Sequence, residues 1–355
     1  MSSVKVNILE KARPSVISLK PYASAKEEFK GMAKELVYLD ANENPYENGL
    51  NRYPDPNQSL LKNRISIIKN VPAHQILLGN GSDEVLDMIF RVFVEPGKDN
   101  IIINTPTFGM FEVLSNINNV ECRKVQLTPE FDLDPEAIIK QIDVHTKAIF
   151  ICSPNNPTGN IMSEEAILSL LRLEVLVVID EAYIDFADTE SWTKRLHEFN
   201  NLIVTQTFSK AFGLAGIRLG ACYADKQVID LLKKVKMPYN VNVLTQTKAA
   251  EYLQNEEARK TEVNRIIRNR SILKNELQTL DMVKKIYKSD SNFLLVRFDD
   301  ANKRYDQLIH KDIVVRNRTR EPLSENCLRI TVGTTAENLK LIQTLRGLDK
   351  TTLKS

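Results

Sequence analysis

The segment that decides the fold prediction reads TQTFSKAFGLAGIRLG and spans residues 205–220. A run of β-forming residues ends at Thr205 and leads into a turn of small residues that carries Ser209 and Lys210. Three glycines then keep the following backbone close and low in bulk. The segment therefore predicts a strand followed by a tight loop that holds a lysine inside the fold.

The neighbours of Lys210 suggest what its amine can do. Phe208, Ala211 and Phe212 lie beside it in the sequence, and we expect them to bury its side chain. Burial among apolar groups disfavours the ammonium form, so the amine becomes a better nucleophile near neutral pH, as Schiff-base chemistry requires. The alternative is a solvent-exposed loop lysine, which is the commoner case for an isolated Ser-Lys pair.

Arg218 lies in the same segment, between Ile217 and Leu219. A guanidinium in apolar surroundings is costly without an anionic partner. Together with Ser209, it predicts a binding site for a phosphate group.

The composition is typical of a globular protein with ample core. The chain has 355 residues, 43% of them hydrophobic and 26% charged, so we expect two domains. Lysine and arginine (48) nearly balance the acids (46), which argues against a nucleic-acid partner. The four cysteines are far apart, no histidine pair has metal-ligand spacing, and no apolar run is long enough to span a bilayer. These features predict a cytoplasmic protein without a disulfide framework or a metal site.

Short apolar runs alternate with amphipathic segments from Ile76 to Tyr223. The run VLVVI at 175–179 is continuously apolar, which is typical of a strand in a sheet covered by helices on both faces. We predict an α/β fold with a doubly wound, mostly parallel sheet, in which sites gather beyond the carboxyl ends of the strands. The predicted strands are 76–78, 101–104, 121–125, 148–152, 175–180, 201–205 and 219–223.

After about residue 226 the chain becomes helical and charged, which predicts a smaller α+β domain. We expect strands at 293–297, 313–315 and 328–332, and a capping box from Thr334 to Glu337 before a last helix. The apolar face of that helix is expected to include Leu339, Ile342 and Leu345. The predicted division is an N-terminal arm (1–45) packing on the small domain and on a partner, a large domain (46–235) and the small domain (236–355).

Polar motifs follow three predicted strands at the point where each strand ends. SPNNPTG occupies 153–159, DEAY occupies 180–183, and the Lys210 loop follows a third strand. Each motif alone is ordinary turn or loop chemistry. Because neighbouring strands of a doubly wound sheet end at one cleft, the three together favour a functional role for Lys210.

Further candidates for binding anions lie elsewhere. The turn at 79–82 opens a helix, and we expect Ser82 to be its N-cap, next to unpaired N–H groups that can bind an anion. Arg329 stands on the polar face of a predicted strand, so it faces a cleft or the solvent. Of the alternating arginines 316, 318 and 320, at least some are expected to be solvated.

With these motifs in place, the chain resembles the fold-type I pyridoxal-phosphate aminotransferases from about residue 22 to the last helix. The resemblance rests on SPNNPTG, DEAYIDF and TFSKAFGLAGIRLG at the three strand ends. The segments ANENPY, NRYPDP, GNGSDE, TPTFGMF and CLRITVGT narrow it to the histidinol-phosphate aminotransferase branch of that family. It implies the fold of the family, pyridoxal 5′-phosphate as cofactor, and a homodimer with shared active sites.

The resemblance also implies which residues hold the cofactor. Lys210 would be its covalent anchor and the acid and base catalyst, and Asp180 would pair with its ring nitrogen. Family members often carry a tyrosine where this chain has Phe108, which keeps the stacking surface without a hydroxyl. The resemblance implies that Asn156 and Tyr183 contact the phenolic oxygen and that Phe108 contacts the ring face. The implied phosphate contacts are Gly81, Ser82, Ser209 and Arg218, together with Tyr53 of the partner subunit.

For the substrate, the resemblance implies that Arg329 binds an α-carboxylate with its planar fork of donors. Arg316 and Tyr22 would receive the phosphate of histidinol phosphate, and Asn42 and Tyr239 would line the pocket. The implied reaction converts L-histidinol phosphate and 2-oxoglutarate to imidazole-acetol phosphate and L-glutamate, in histidine biosynthesis.

Other functions on the same scaffold stay open at this point. An aromatic amino acid aminotransferase would replace the imidazole by a phenyl or phenol ring, and a decarboxylase would act on threonine phosphate. A non-catalytic pyridoxal-phosphate-binding regulator is expected to have a helix-turn-helix segment and a basic surface, and the sequence shows neither.

Overall fold

A computed structural model describes residues 5–20 and 37–352 of the chain. Within these residues the backbone forms two β-sheets, one of seven strands and one of four. The larger sheet comprises β1 (Ile76–Asn80), β2 (Asn100–Thr105), β3 (Glu121–Gln126), β4 (Thr146–Cys152), β5 (Leu176–Asp180), β6 (Leu202–Thr207) and β7 (Leu219–Ala224). The smaller comprises β8 (Val283–Ile286), β9 (Phe293–Phe298), β10 (Arg316–Asn317) and β11 (Cys327–Thr331).

Helices connect and cover these strands. The first are α1 (Ile8–Lys11), α2 (Pro14–Ser18), α3 (Ser59–Lys69), α4 (Gly81–Phe93), α5 (Met110–Ile117), α6 (Pro135–Ile139), α7 (Glu164–Leu171) and α8 (Lys226–Val235). The later ones are α9 (Val243–Tyr252), α10 (Glu256–Gln278), α11 (Ala301–Ile309) and α12 (Thr335–Thr352). None of the helices in the described ranges is both long enough and apolar enough to cross a membrane.

The strands of the larger sheet lie in the order β3-β2-β4-β5-β6-β7-β1. Pairing is parallel from β3 to β6, whereas β7 is antiparallel to both of its neighbours. The register places Cys152 and Asp180, the last residues of β4 and β5, beside Thr205 of β6. The predicted mostly parallel α/β sheet is confirmed, and its carboxyl ends meet as expected.

Alternate residues of the central strands face two separate hydrophobic layers. Val177 and Ile179 of β5 pack into one layer, and Leu176 and Val178 pack into the other. A strand that buries both faces must be apolar at every position, which explains the continuous VLVVI run. The sheet is therefore covered on both sides, and only its edges and strand ends are available for a site.

The smaller sheet is antiparallel, in the order β10-β11-β9-β8. The prediction of a strand at 313–315 is wrong, because the paired residues are those of β10. Val315 is buried, but Val314 is 81% exposed, so this apolar run lies across the edge of the core rather than inside a strand. The polar strand β8 and the helix α11 gave no clear pattern in the sequence and were not predicted.

The N-terminal residues 5–20 pack on helices that cover the larger sheet. The prediction that placed them on the small domain is wrong. Ile8, Ala12 and Val16 form an apolar stripe at four-residue spacing and join the layer that contains α4 and α8. The N–H of Arg13 also donates to the carbonyl oxygen of Val92, over 2.8 Å. Two helices of four and five residues are too short for a periodic pattern to stand out.

The start of α12 confirms the predicted capping box. The Thr334 hydroxyl accepts from the Glu337 N–H at 3.3 Å, and the Glu337 carboxylate accepts from the Thr334 N–H at 2.7 Å. Leu345 and Ile342 of its apolar face are buried, but Leu339 is 53% exposed, so that part of the prediction is wrong. Leu341 takes its place in the core.

Candidate active site

A cavity of about 590 Å³ opens at the carboxyl ends of β4, β5 and β6. Residues from both sheets line it, because β10 and β11 of the smaller sheet close its far side. It brings together most of the residues singled out from the sequence: Ser82, Phe108, Asn156, Asp180, Tyr183, Ser209, Lys210, Arg218, Arg316 and Arg329.

Asp180 is a buried carboxyl with no cation bonded to it. It is 2% exposed, and its Oδ1 accepts from the N–H of Ala182 at 3.1 Å. Burial raises its pKa to about 7. No described residue forms an ion pair with Asp180, so a cationic N–H group placed against it would favour its ionised form.

Glu181 is buried beside Asp180 but points to a different set of partners. Its carboxylate accepts from the Ser191 hydroxyl, the Trp192 N–H at 2.7 Å and the Gln206 amide at 2.8 Å. Burial raises its pKa as well. Glu181 is therefore satisfied within the protein, whereas Asp180 faces the cavity.

Lys210 projects into the cavity and is exposed there. Its Nζ lies 5.8 Å from the centre of the Tyr183 ring. Burial on its protein side lowers its pKa, and the positive charge of Arg329 lowers it further. The predicted direction of the pKa shift therefore agrees with the structure.

The prediction that Phe208 and Phe212 bury Lys210 is wrong. Their rings pack on each other, with centres 4.7 Å apart, and both belong to the core. The loop closes through a hydrogen bond from the Leu214 N–H to the Phe208 carbonyl oxygen at 3.0 Å, which turns the two phenylalanines together. Lys210 thus owes its setting to residues distant in sequence.

Tyr183 and Phe108 supply aromatic surface to the cavity. The Tyr183 ring meets Phe293 edge to face at 5.2 Å, and burial raises the pKa of its hydroxyl. Phe108 is held edge to face against Phe111 at 5.7 Å. Both rings are positioned by the core and present a surface to whatever the cavity binds.

Helix α4 begins directly at the end of β1 and points its N-terminus at the cavity. The prediction that Ser82 is the N-cap of this helix is wrong. Gly81 adopts φ +73°, and the helix begins at Gly81 itself. Asn80 is the N-cap instead, and the carboxylate of Glu84 accepts from its backbone N–H. Ser82 therefore lies in the first turn, buried, with its side chain among the residues that line the cavity.

Two glycines let α4 approach the strand beyond the Lys210 loop. A Cβ on Gly220 would lie 2.2 Å from the N atom of Ser82, and one on Gly81 would lie 2.8 Å from Nη2 of Arg218. The Gly81 N–H donates to the carbonyl oxygen of Arg218 at 2.9 Å. Any side chain at either position would fill the space between the helix N-terminus and the loop.

Arg218 is half-exposed, although its sequence neighbours are apolar. Its guanidinium reaches the hydroxyl of Ser209 at 3.4 Å and the carboxylate of Asp83 at 3.5 Å. Both contacts are long for hydrogen bonds to a charged group. The helix N-terminus, Ser209 and Arg218 together form a cradle suited to a small anion.

Arg329 faces the cavity, which settles the choice between cleft and solvent. Its Nη1 donates to Oδ1 of Asn156, and its guanidinium lies 5.2 Å from the centre of the Phe293 ring. Its Nε is buried and has no hydrogen-bond partner among the described residues. Burial and the positive charge of Arg318 lower its pKa.

Arg316 stands directly opposite Arg329 in the β10–β11 pairing. Like charges at facing positions destabilise a sheet, so this pair favours an anion between them. Arg316 forms no ion pair within the described part of the chain, and Arg318 lines the same cavity. Arg320 is exposed and does not line it.

Other predicted residues lie elsewhere in the single chain. Tyr53, Asn42 and Tyr239 line a second cavity of about 700 Å³. The rings of Tyr53 and Tyr239 stack there with centres 4.5 Å apart. Tyr22 lies outside the described residues.

Several residues that line the main cavity were not singled out as site residues from the sequence. Cys152 reaches it through its pairing beside Asp180, and Thr207 through two further residues of β6 beyond the predicted strand end. Thr107, Met110 and Asn317 are further examples. Only the strand register and the loop paths reveal these positions.

Comparison with known proteins gives this arrangement a family. The model of the aminotransferase class I and II family matches residues 29–345. The chain belongs to the class I and II aminotransferases. It is 56% identical to the histidinol-phosphate aminotransferase of Christiangramia forsetii, over 97% of this chain and 98% of that one.

Solved structures agree with the fold of this aminotransferase. The histidinol-phosphate aminotransferase of Clostridium acetobutylicum superposes with a TM-score of 0.79 at 25% identity, over 85% of this chain and 92% of that one. The enzyme of that name from Sinorhizobium meliloti, solved in complex with pyridoxal-5′-phosphate, gives 0.76 at 23% identity, over 84% of each chain. The predicted family, fold and enzyme class are therefore confirmed.

The aminotransferase uses pyridoxal 5′-phosphate, and its cavity fits that cofactor. The cradle left open by Gly81 and Gly220 suits a phosphate, and the buried, unpaired Asp180 suits a cationic ring nitrogen. The exposed side chain of Lys210 opens into the same cavity.

In the cofactor-free protein, the titration of Asp180 should make the free energy of unfolding depend on pH, and Asp180→Asn should remove this dependence. Because the folded pKa of about 7 lies above the unfolded value of about 3.9, the folded chain binds the proton more tightly. The stabilisation by this carboxyl is complete below about pH 4 and is lost as the pH rises to about 7, a change of roughly 4 kcal/mol.

Urea unfolding of both proteins between about pH 4 and pH 8 measures this difference. The free energy of unfolding of the wild type should fall relative to that of Asp180→Asn up to about pH 7, and the two curves should be parallel above that pH. Curves that stay parallel throughout would show that Asp180 titrates normally.

Proposed function

We propose that the enzyme transfers the amino group of L-histidinol phosphate to 2-oxoglutarate, giving imidazole-acetol phosphate and L-glutamate, in histidine biosynthesis. The observation that carries this proposal is the facing pair Arg316 and Arg329 at the far side of the Lys210 cavity. The names of the relatives at high identity support the same reaction.

The residues of the cavity suggest how the cofactor is held. We assign Lys210 to its aldehyde carbon, Asp180 to its ring nitrogen and Phe108 to its ring face. Asn156 and Tyr183 are assigned to its phenolic oxygen. Its phosphate is assigned to the cradle formed by Gly81, Ser82, Ser209 and Arg218.

Pyridoxal phosphate, when bound, supplies an aldehyde that condenses with amines and a ring that takes up electrons released at the substrate Cα. Asp180 keeps a positive charge at the ring nitrogen favourable, because it is a buried acid without another counter-ion. The amine of Lys210, with its lowered pKa, can accept the proton that leaves the substrate Cα. Tyr183 keeps its proton because its pKa is raised, so it acts as a hydrogen-bond donor.

One cavity must accept two different amino donors in turn. Histidinol phosphate carries a phosphate and no carboxylate, whereas glutamate carries two carboxylates. Arg329, half-buried and stacked on Phe293, suits the α-carboxylate of glutamate. Arg316, exposed to the cavity and without an ion pair in the described ranges, suits the phosphate or the side-chain carboxylate.

The enzyme is proposed to be a cytoplasmic homodimer with shared active sites. Leu39 and Met237, which directly precede Asp40 and Pro238 of the second cavity's lining, are 88% and 64% exposed. Such a surface is typical of an interface. In the dimer, Tyr53 would reach the cofactor phosphate of the partner's site, and Asn42 and Tyr239 would line that site with Tyr22.

The alternative activities differ in what they require of Arg316. An aromatic amino acid would place a neutral ring where this cation stands, which offers no compensation for the facing arginines. A decarboxylase acting on threonine phosphate would use the phosphate site equally well. It differs in its product, since it releases carbon dioxide.

Steady-state kinetics decide among these activities. We expect kcat/KM to be higher for histidinol phosphate than for phenylalanine, and Arg316→Gln to lower the value for histidinol phosphate by about tenfold or more. The kcat/KM for phenylalanine should be little affected by that substitution, because this constant reports only the half-reaction with the amino acid, which lacks a second anion.

Arg320→Gln is the matched control, since Arg320 lies four residues after Arg316 and outside the cavity. This substitution should leave kcat/KM unchanged for both substrates. A higher kcat/KM for phenylalanine would identify an aromatic aminotransferase instead, and carbon dioxide from threonine phosphate would identify a decarboxylase.

Shared sites can be tested by mixing subunits. In a shared site, Tyr53 comes from one subunit and Lys210 from the other. A heterodimer of Tyr53→Ala and Lys210→Ala subunits therefore has one site that carries both substitutions and one site that carries neither. Random mixing through unfolding and refolding should recover about a quarter of the wild-type sites. Activity that never exceeds the sum of the two separate variants would show that each chain builds its own site.

A further inference from the structure

The loop after β10 brings a further arginine, Arg318, to the substrate end of the cavity. The N–H of Arg318 donates to the carbonyl oxygen of Cys327 at 2.9 Å, which extends the β10–β11 ladder by one residue. Because side chains alternate along a strand, Arg316 and Arg318 lie on the same face as Arg329. Three guanidinium groups therefore line one wall of the cavity.

The partner of Arg318 is Glu321, three residues further along the chain. Nη1 of Arg318 lies 2.5 Å from Oε1 of Glu321, and the two side chains are 25% and 28% exposed. Because both side chains are mostly buried, Arg318 gives up this contact at low cost only when another anionic group replaces it.

The pair is also incomplete on both sides. Nε of Arg318 and Oε2 of Glu321 are buried, and neither has a hydrogen-bond partner among the described residues. A guanidinium and a carboxylate bind best through two parallel hydrogen bonds, and here they share one contact. Arg318 therefore has an unused donor that a third, hydrogen-bond-accepting group could satisfy.

The charge balance of this wall indicates what that third group is. Arg316 and Arg329 face each other across the strand pair, and Arg318 adds a third positive charge, of which Glu321 offsets one. The acids that line the cavity are Asp83, near the phosphate cradle, and Asp180, at the end of β5. Neither lies among the three arginines, so neither neutralises them. An incoming anion relieves the repulsion among the three cations.

We propose that Arg318 is a specificity-determining residue that exchanges Glu321 for the acidic group at the far end of the amino donor, an inference that rests on the proposed function. With a phosphate or a second carboxylate present, Arg318 and Arg316 bind it together. With a neutral side chain present, Glu321 keeps Arg318. Glu321 thus competes with the substrate and reduces binding of anions that the two arginines would otherwise hold more tightly.

Unreactive acids test this exchange in the cofactor-loaded protein. Glutarate carries two carboxylates and pentanoate carries one, so their dissociation constants by titration calorimetry separate the second anion from the first. Arg318→Gln should weaken glutarate binding by about tenfold and leave pentanoate binding unchanged. Equal loss for both acids, or no loss for either, would overturn the proposal.

Glu321→Gln tests the competition directly. Without the competing carboxylate, glutarate should bind a few-fold more tightly, while pentanoate binding stays the same. Weaker glutarate binding in Glu321→Gln would mean that Glu321 holds Arg318 in its working position and would contradict exchange. Arg320→Gln, outside the cavity on the same loop, is the control and should change neither value.

These measurements do not depend on which amino donor the enzyme uses. Failure of the proposed function would appear as absent turnover of histidinol phosphate by the wild type. Failure of the exchange would appear as unselective effects on the two acids in a protein that still binds them.

Discussion

The parallel pairing of β4, β5 and β6 is the constraint on which the site depends. It fixes Cys152, Asp180 and Thr205 in one row, so that the loops that follow these strands open into the same cavity. Helices cover both faces of the sheet, which leaves the strand ends as the place where polar groups can meet a ligand. The lysine loop and the acid on β5 are neighbours for this reason, although 30 positions separate Lys210 from Asp180.

Unpaired charge is the second property of the cavity. A buried carboxyl without a cation lies at its floor, and arginines that face each other line its wall. Both arrangements cost free energy in the protein alone and are relieved when groups of opposite charge bind. The cavity is therefore organised for a ligand that carries a cationic ring nitrogen at one point and anionic groups at others.

The sequence predicted the parts of this site that depend on strand ends. Lys210, Asp180 and Asn156 each follow an apolar run, and such runs can be recognised without coordinates. Cys152, Thr207 and the pairing of Arg318 with Glu321 could not be predicted, because they depend on the register and on the path of a loop. The packing of residues 5–20 was not predicted, because helices of about one turn are too short to show a periodic pattern. Phe208 and Phe212 were expected to cover Lys210, but they pack in the core.

The central claim is that Lys210 is the amine that holds pyridoxal phosphate. The most direct measurement is reduction of the loaded protein with borohydride, followed by digestion and mass spectrometry. One pyridoxyl group is expected, on the peptide that contains Lys210, and none on Lys210→Ala treated in the same way. A pyridoxyl group on another lysine, or none on the wild type, would contradict it.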